Sequence, residues 1–132
     1  MSCAQVDSPT YATSYFDPRG DQEHRFALPA VPYLKLAVVH DEAAHALNVF
    51  ALNRSLDQEL ALEVEARSFD GLRLAQALTM RNDDLEATNT REAPERVVPV
   101  ALEAVRVEGG TMRATLRPAS WNVVCLADTV QP

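Results

Sequence analysis

From Tyr33 onward, apolar and polar residues alternate with a period of two, the pattern of strands half-buried in a sheet. In Tyr33–His40, the residues Leu34, Leu36 and Val38 share one face. Ala46–Arg54 is apolar on both faces, as in a central strand. Glu59–Phe69 is rich in Glu, Ala and Leu, which favour a helix by propensity. Its order favours a strand instead: Leu60, Leu62, Val64 and Ala66 alternate with Ala61, Glu63, Glu65 and Arg67, leaving one wet face. Asp70-Gly71 reads as a hairpin turn, after which Leu72–Met80 is expected to pair back. Val105–Pro118 reads as a hairpin around Gly109-Gly110, and Ser120–Ala127 as a closing strand. About seven or eight strands, short turns and no long helix predict an all-β fold, an antiparallel jelly-roll β-sandwich.

Residues 1–32 break this pattern. They hold Pro9, Pro18, Pro29 and Pro32 and the polar run Asp17–Arg25. They also hold Tyr11, Tyr15, Phe16 and Phe26, half of the chain's aromatic residues, more than a free linker needs. The expected division is an irregular, aromatic-containing lead-in at 1–32 that packs on the domain or on a partner, then a sandwich domain at 33–132.

A chain of 132 residues suits one domain, and 47% hydrophobic residues suffice for a core. The net charge of -7 argues against a basic face for nucleic acid or anionic membrane. Cys3 and Cys125 form neither a disulfide framework nor a metal-ligand cluster, and they fit a reducing compartment. The first ten residues lack a basic start and an apolar run, and no stretch reaches the length of a membrane span. A cytoplasmic location is expected, with no nucleic-acid or membrane partner.

Candidate chemistry is sparse. His40 and His45 flank a segment that superficially looks like a zinc-protease helix. Five residues apart, they would sit roughly 140° apart on a helix, and a turn between strands is expected instead. His24 stands in the polar lead-in and receives no role. No G-x-S-x-G elbow or phosphate loop occurs. Asn82, Asp84 and Glu86 place oxygens at alternate positions but lack the glycine and spacing of a calcium loop. Asp83 and Glu86 are spaced like a capping box for a single helical turn. Asn53-Arg54-Ser55 matches a glycosylation sequon and reads as a polar turn after a strand. Phe50 is expected in a buried strand and Trp121 in the core or at its rim, leaving no row of rings for a sugar. Leu85–Pro99 gathers Glu86, Glu92 and Glu95. Asn89 and Thr90 can bond neighbouring backbone there, and Val97 and Val98 are expected to start a strand. No catalytic, cofactor-binding or metal-ligating residue is assigned.

Taken in order, these segments resemble the C-terminal domain of the α-L-arabinofuranosidases of glycoside hydrolase family 51. Asn53-Arg54-Ser55 is similar to that family's motif after the second strand. Asn89-Thr90, followed by Pro94, Val97 and Val98, is similar to a second motif. Ser120-Trp121-Asn122 is similar to the one at its last strand. Val6–Tyr11 resembles the segment leading from the family's barrel into this domain. The resemblance implies a jelly-roll sandwich packed against a (β/α)8 barrel. It implies a parent enzyme that releases terminal α-L-arabinofuranosyl residues with retention, using two barrel glutamates. This chain is too short for that barrel, and none of its glutamates matches the catalytic motifs. The expectation is a non-catalytic domain with a structural and assembly role, meeting arabino-oligosaccharide only through the parent. In the family the chain before the barrel adds to the sandwich, so an open sheet edge and a homodimer through it are expected here. The alternative is a stand-alone carbohydrate-binding β-sandwich module.

Overall fold

The computed structural model describes residues 4–16 and 25–128. The expectations for Cys3, for His24 and for the polar run up to it lie outside the described residues. Ten strands occur among those described: β1 Thr10–Phe16, β2 Arg25–Pro32, β3 Leu34–Asp41, β4 Ala46–Asn53, β5 Leu60–Glu65, β6 Leu72–Met80, β7 Val100–Ala101, β8 Val105–Glu108, β9 Thr111–Leu116 and β10 Ser120–Asp128. No helix occurs among the described residues.

Two antiparallel sheets face each other. One has five strands in the order β3-β4-β10-β6-β7, the other three in the order β5-β9-β8. The period-two pattern explains the packing. Leu47, Val49 and Ala51 of β4 and Val124 and Leu126 of β10 point inward. They meet Leu62 of β5 and Met112, Ala114 and Leu116 of β9, all buried. The predicted all-β sandwich is the fold observed. Its strand count is higher than expected because of β1 and β2.

The lead-in is not irregular where it is described. β1 and β2 pair antiparallel as a sheet of their own, with a register shift between Tyr11 and Thr13. Proline does not prevent this, because a two-stranded ribbon has outer edges that need no N–H donor. Pro29 and Pro32 both fall within β2. The ribbon is fastened to the body at its base. Tyr33 N donates to Pro9 O at 2.9 Å, Leu34 N donates to Ser8 Oγ at 3.1 Å, and the Tyr11 and Tyr33 rings lie 4.8 Å apart.

Asp70-Gly71 also differs from expectation. Gly71 has φ 79°, so the chain does turn there, but β6 does not pair with β5. It pairs with β10 in the opposite layer. An extra turn comes first, in which Phe69 N donates to Ala66 O at 2.9 Å. The connection is therefore too long for a hairpin and crosses between sheets. Gly109-Gly110 behaves as predicted. Both glycines have positive φ, 57° and 79°, as a tight hairpin between β8 and β9 requires.

Candidate functional site

Two of the sequence motifs meet in space. Asn53 at the end of β4 is the cross-strand partner of Ser120 at the start of β10, and both are fully buried. The Asn53 amide nitrogen lies 2.9 Å from Gln58 O, 3.1 Å from Leu116 O and 3.0 Å from Arg117 O. Its Oδ1 accepts from Ser55 N at 2.9 Å. Ser120 Oγ donates to Arg117 O, and Asn122 Nδ2 donates to Ala51 O and to Ser120 Oγ. Ala119, held at φ 48°, donates its N–H to Ser55 O at 2.7 Å. Together these bonds sew two crossing connections, β4–β5 and β9–β10, onto one end of the sandwich. The polar turn expected at Asn53-Arg54-Ser55 is thus an interior one. Its Asn and Ser are buried, because a crossing chain leaves carbonyls that no sheet partner can satisfy. The sequon nitrogen is enclosed in the folded chain. Nearby, Thr79 Oγ1 and Asn122 Oδ1 are buried without a hydrogen-bond partner, on residues that face each other across β6 and β10.

The acidic loop is organised by its own backbone. Asn89 donates from Nδ2 to Val97 O at 2.8 Å and accepts from Val97 N at 2.7 Å, so its side chain imitates a strand partner. Ala93 N donates to Thr90 Oγ1, and Thr90 N to Ala93 O. Glu86, Glu92 and Glu95 point to solvent. No strand starts at Val97 or Val98. It starts at Val100, after Pro99, which has no N–H to offer a ladder.

Asn82, Asp84 and Glu86 do not converge. Asn82 Oδ1 accepts from Asp84 N, Asp84 Oδ1 accepts from Glu86 N, and Asp84 Oδ2 pairs with Arg96 at 2.6 Å. The predicted capping box is replaced by one isolated turn in which Asp84, not Asp83, holds the backbone. His40 lies near the end of β3, and His45 lies in the turn just before β4. His40 meets Phe69 edge-on at 4.9 Å, and His45 closes the β3–β4 turn with φ 47°. Among the described residues, no group of three or more His, Cys, Asp or Glu could hold a metal ion. Glu63 accepts from Arg113 and Glu65 from Arg67, both in water.

One surface feature differs from the expectation drawn from sequence. Phe50 is 39% exposed and Trp121 57% exposed, on the outer face of the five-stranded sheet. The double-sided apolar character of Ala46–Arg54 was the available signal, and its second face turned out to be open. A separate feature is an incomplete edge at β3. Leu36 and Val38 of β3 point toward the core but are only half-buried, because the three-stranded sheet ends at β5 and does not reach under them. An opening of about 790 Å³ lies there, lined by Leu36, Val38, Glu63, Val64 and Phe69.

This architecture defines an antiparallel β-sandwich whose buried polar side chains serve its own backbone, with an opening at one edge and exposed apolar side chains on one outer face. A family model described as the α-L-arabinofuranosidase C-terminal domain matches residues 3–120. The chain belongs to that family. It is 32% identical over 123 residues to an intracellular exo-α-(1→5)-L-arabinofuranosidase of Halalkalibacterium halodurans, covering 93% of this chain and 22% of the relative. A Streptomyces lividans enzyme of the same name is 32% identical over 124 residues, covering 94% and 17%. Among solved structures, a family 51 α-L-arabinofuranosidase from Bifidobacterium longum is similar at 30% identity and a TM-score of 0.68, covering 90% of this chain and 21% of that one. A Thermotoga petrophila enzyme at 22% identity and a TM-score of 0.74 shares the fold. The chain spans about a fifth of the length of the curated relatives it matches.

Proposed function

We propose that this chain is the non-catalytic C-terminal sandwich of an α-L-arabinofuranosidase and supports a (β/α)8 barrel that carries the chemistry. The observation behind it is coverage: nearly the whole chain matches, against about a fifth of each relative. The parent reaction is the retaining release of terminal α-L-arabinofuranosyl residues, and arabino-oligosaccharide meets the domain only through the parent. Retention uses two carboxyl groups about 5–5.5 Å apart, one as acid and one as nucleophile. Among the described residues, the glutamates are tied to arginines or point to solvent, in keeping with a supporting role. The cytoplasm is the proposed location, since two relatives are named intracellular. Residues 1–32 form the lead-in and 33–132 the sandwich unit. The purified chain should not hydrolyse a nitrophenyl α-L-arabinofuranoside. Turnover that co-purifies with the chain and disappears on substitution of its own carboxylates would refute the proposal.

One observation favours a second reading, a carbohydrate-binding module: Trp121 is exposed. Calorimetric titration with arabino-oligosaccharides separates the two, because a module gives saturable heat. The half-covered β3 and the β5 edge also support a homodimer of the isolated chain. Sedimentation across a concentration series tests it.

A further inference from the structure

An antiparallel sheet in a sandwich commonly buries one face and wets the other. The three-stranded sheet does so. Its outer face carries Glu63, Arg113 and Arg106 in one cross-strand row, with Arg113 Nε donating to Glu63 at 2.9 Å. The five-stranded sheet is different. One outer row runs Ala37, Phe50, Val123, Leu78 and Ala101 across all five strands without a polar side chain. The next row adds Leu52, Trp121 and Met80, with Lys35 at its edge. The row on the other side holds Val39, Asn48, Cys125 and Gln76, of which Val39 is 51% exposed. The central strands β4, β10 and β6 place no charge in these three rows, in a chain with 31 charged residues, 12 basic and 19 acidic. A sheet that is apolar on both faces is built to be covered on both.

The missing length indicates what covers it. The relatives continue for about four-fifths of their length beyond the part this chain matches. Chain joined to the domain meets it at high effective concentration. We propose that the outer face of the five-stranded sheet, centred on Phe50, Val123 and Trp121, seats the catalytic part of the parent enzyme through apolar side chains of its outer helices. This rests on the reading that a barrel accompanies the domain, since helices form the outer ring of such a barrel. An uncharged face selects a stripe of aliphatic residues and rejects a charged helix surface, which would lose water without gaining partners. The charged outer face of the three-stranded sheet stays in solvent.

Cys125 lies on the apolar face between Asn48 and Gln76 and reports whether that face is covered. The experiment grafts this chain onto the Halalkalibacterium halodurans relative in place of the segment it matches. Alkylation of Cys125 is then followed by peptide mass spectrometry in the graft and in the chain alone. Phe50→Asp and Trp121→Lys are made in both, with Glu63→Gln as the opposite-face control. Cys125 should react at least about tenfold more slowly in the graft. The two face variants should leave the isolated chain folded and cost the graft its solubility or activity, while Glu63→Gln changes neither. An active graft in which Cys125 stays fully reactive, or which tolerates both face variants, overturns the assignment of this face and leaves the domain's supporting role standing. A relative that is equally stable and active with the matching segment simply deleted overturns the supporting role itself. Concentration-dependent protection of Cys125 in the isolated chain, unchanged in the graft, would make a second copy the occupant and overturn the proposal.

Discussion

Asn53 and Ser120 stand opposite each other across β4 and β10, both fully buried, 67 residues apart in sequence. Each is the first residue at its strand's end to answer a crossing connection rather than a neighbouring strand. Their bonds reach Gln58, Leu116 and Arg117, so one amide and one hydroxyl hold the two connections, β4–β5 and β9–β10, in register.

Asn53→Ala should be among the most damaging polar substitutions in the chain. It leaves the buried carbonyl of Leu116 and the part-buried carbonyl of Arg117 without this donor, at a cost of about 3 kcal/mol. Urea denaturation monitored by tryptophan fluorescence reads this directly. A loss below about 1 kcal/mol would show that the connections close without the amide.

Thr79→Val should act in the opposite direction. The Thr79 hydroxyl is buried without a partner, and valine keeps its shape while removing the polar atom. Stability should rise by about 1 kcal/mol in the same denaturation experiment. A loss instead would reveal a hydrogen bond to this hydroxyl in solution.

In the acidic loop, Asn89→Ala should lower the melting temperature, because two backbone bonds to Val97 are lost, worth about 1–2 kcal/mol together. Glu92→Ala and Glu95→Ala are exposed and should each stay within about 0.5 kcal/mol of the parent chain. Calorimetric melting of the three variants side by side distinguishes a structural loop from a functional one. Sugar cleavage lost from a full-length enzyme by the glutamate changes alone, with stability intact, would contradict the structural assignment.

Leu116→Ala and Leu36→Ala measure how unevenly the core is covered. Leu116 is fully buried between the sheets and should cost about 3–4 kcal/mol. Leu36 faces the same interior from β3 but borders the open edge, and its removal should cost only about 1 kcal/mol. Equal losses would mean that the edge is closed in solution.

Strand positions from β3 to β6 and from β8 to β10 were legible because alternation survives wherever one face is buried. Leu72–Met80 was placed to the residue. Partnership was not legible. Asp70-Gly71 states that the chain reverses, but not whether it returns to the same layer, and here an additional turn at Ala66–Phe69 decides it. β1 and β2 were hidden by prolines that an isolated ribbon tolerates. The exposure of Trp121 was hidden for another reason. Its neighbours Val123 and Val124 make both faces of β10 look like core, and alternation cannot say which of two apolar faces meets the other sheet. The pairing of Asn53 with Ser120 lies beyond any local pattern. Resemblance to the family had marked both motifs without saying that they touch.

The order in which the strands are made has a consequence of its own. β10 is the last of the ten in sequence, yet it lies between β4 and β6 in the middle of its sheet. During synthesis β4 and β6 therefore emerge with their facing edges unfilled, and they stay so until Ser120–Asp128 clears the ribosome. Closure is a late, long-range event, which makes folding slow relative to hairpin-only sheets. It also leaves two apolar strands open to wrong partners in the interval. A stalled or shortened product would lose the centre of the sheet rather than its margin, and quality control would meet it as an unfolded chain.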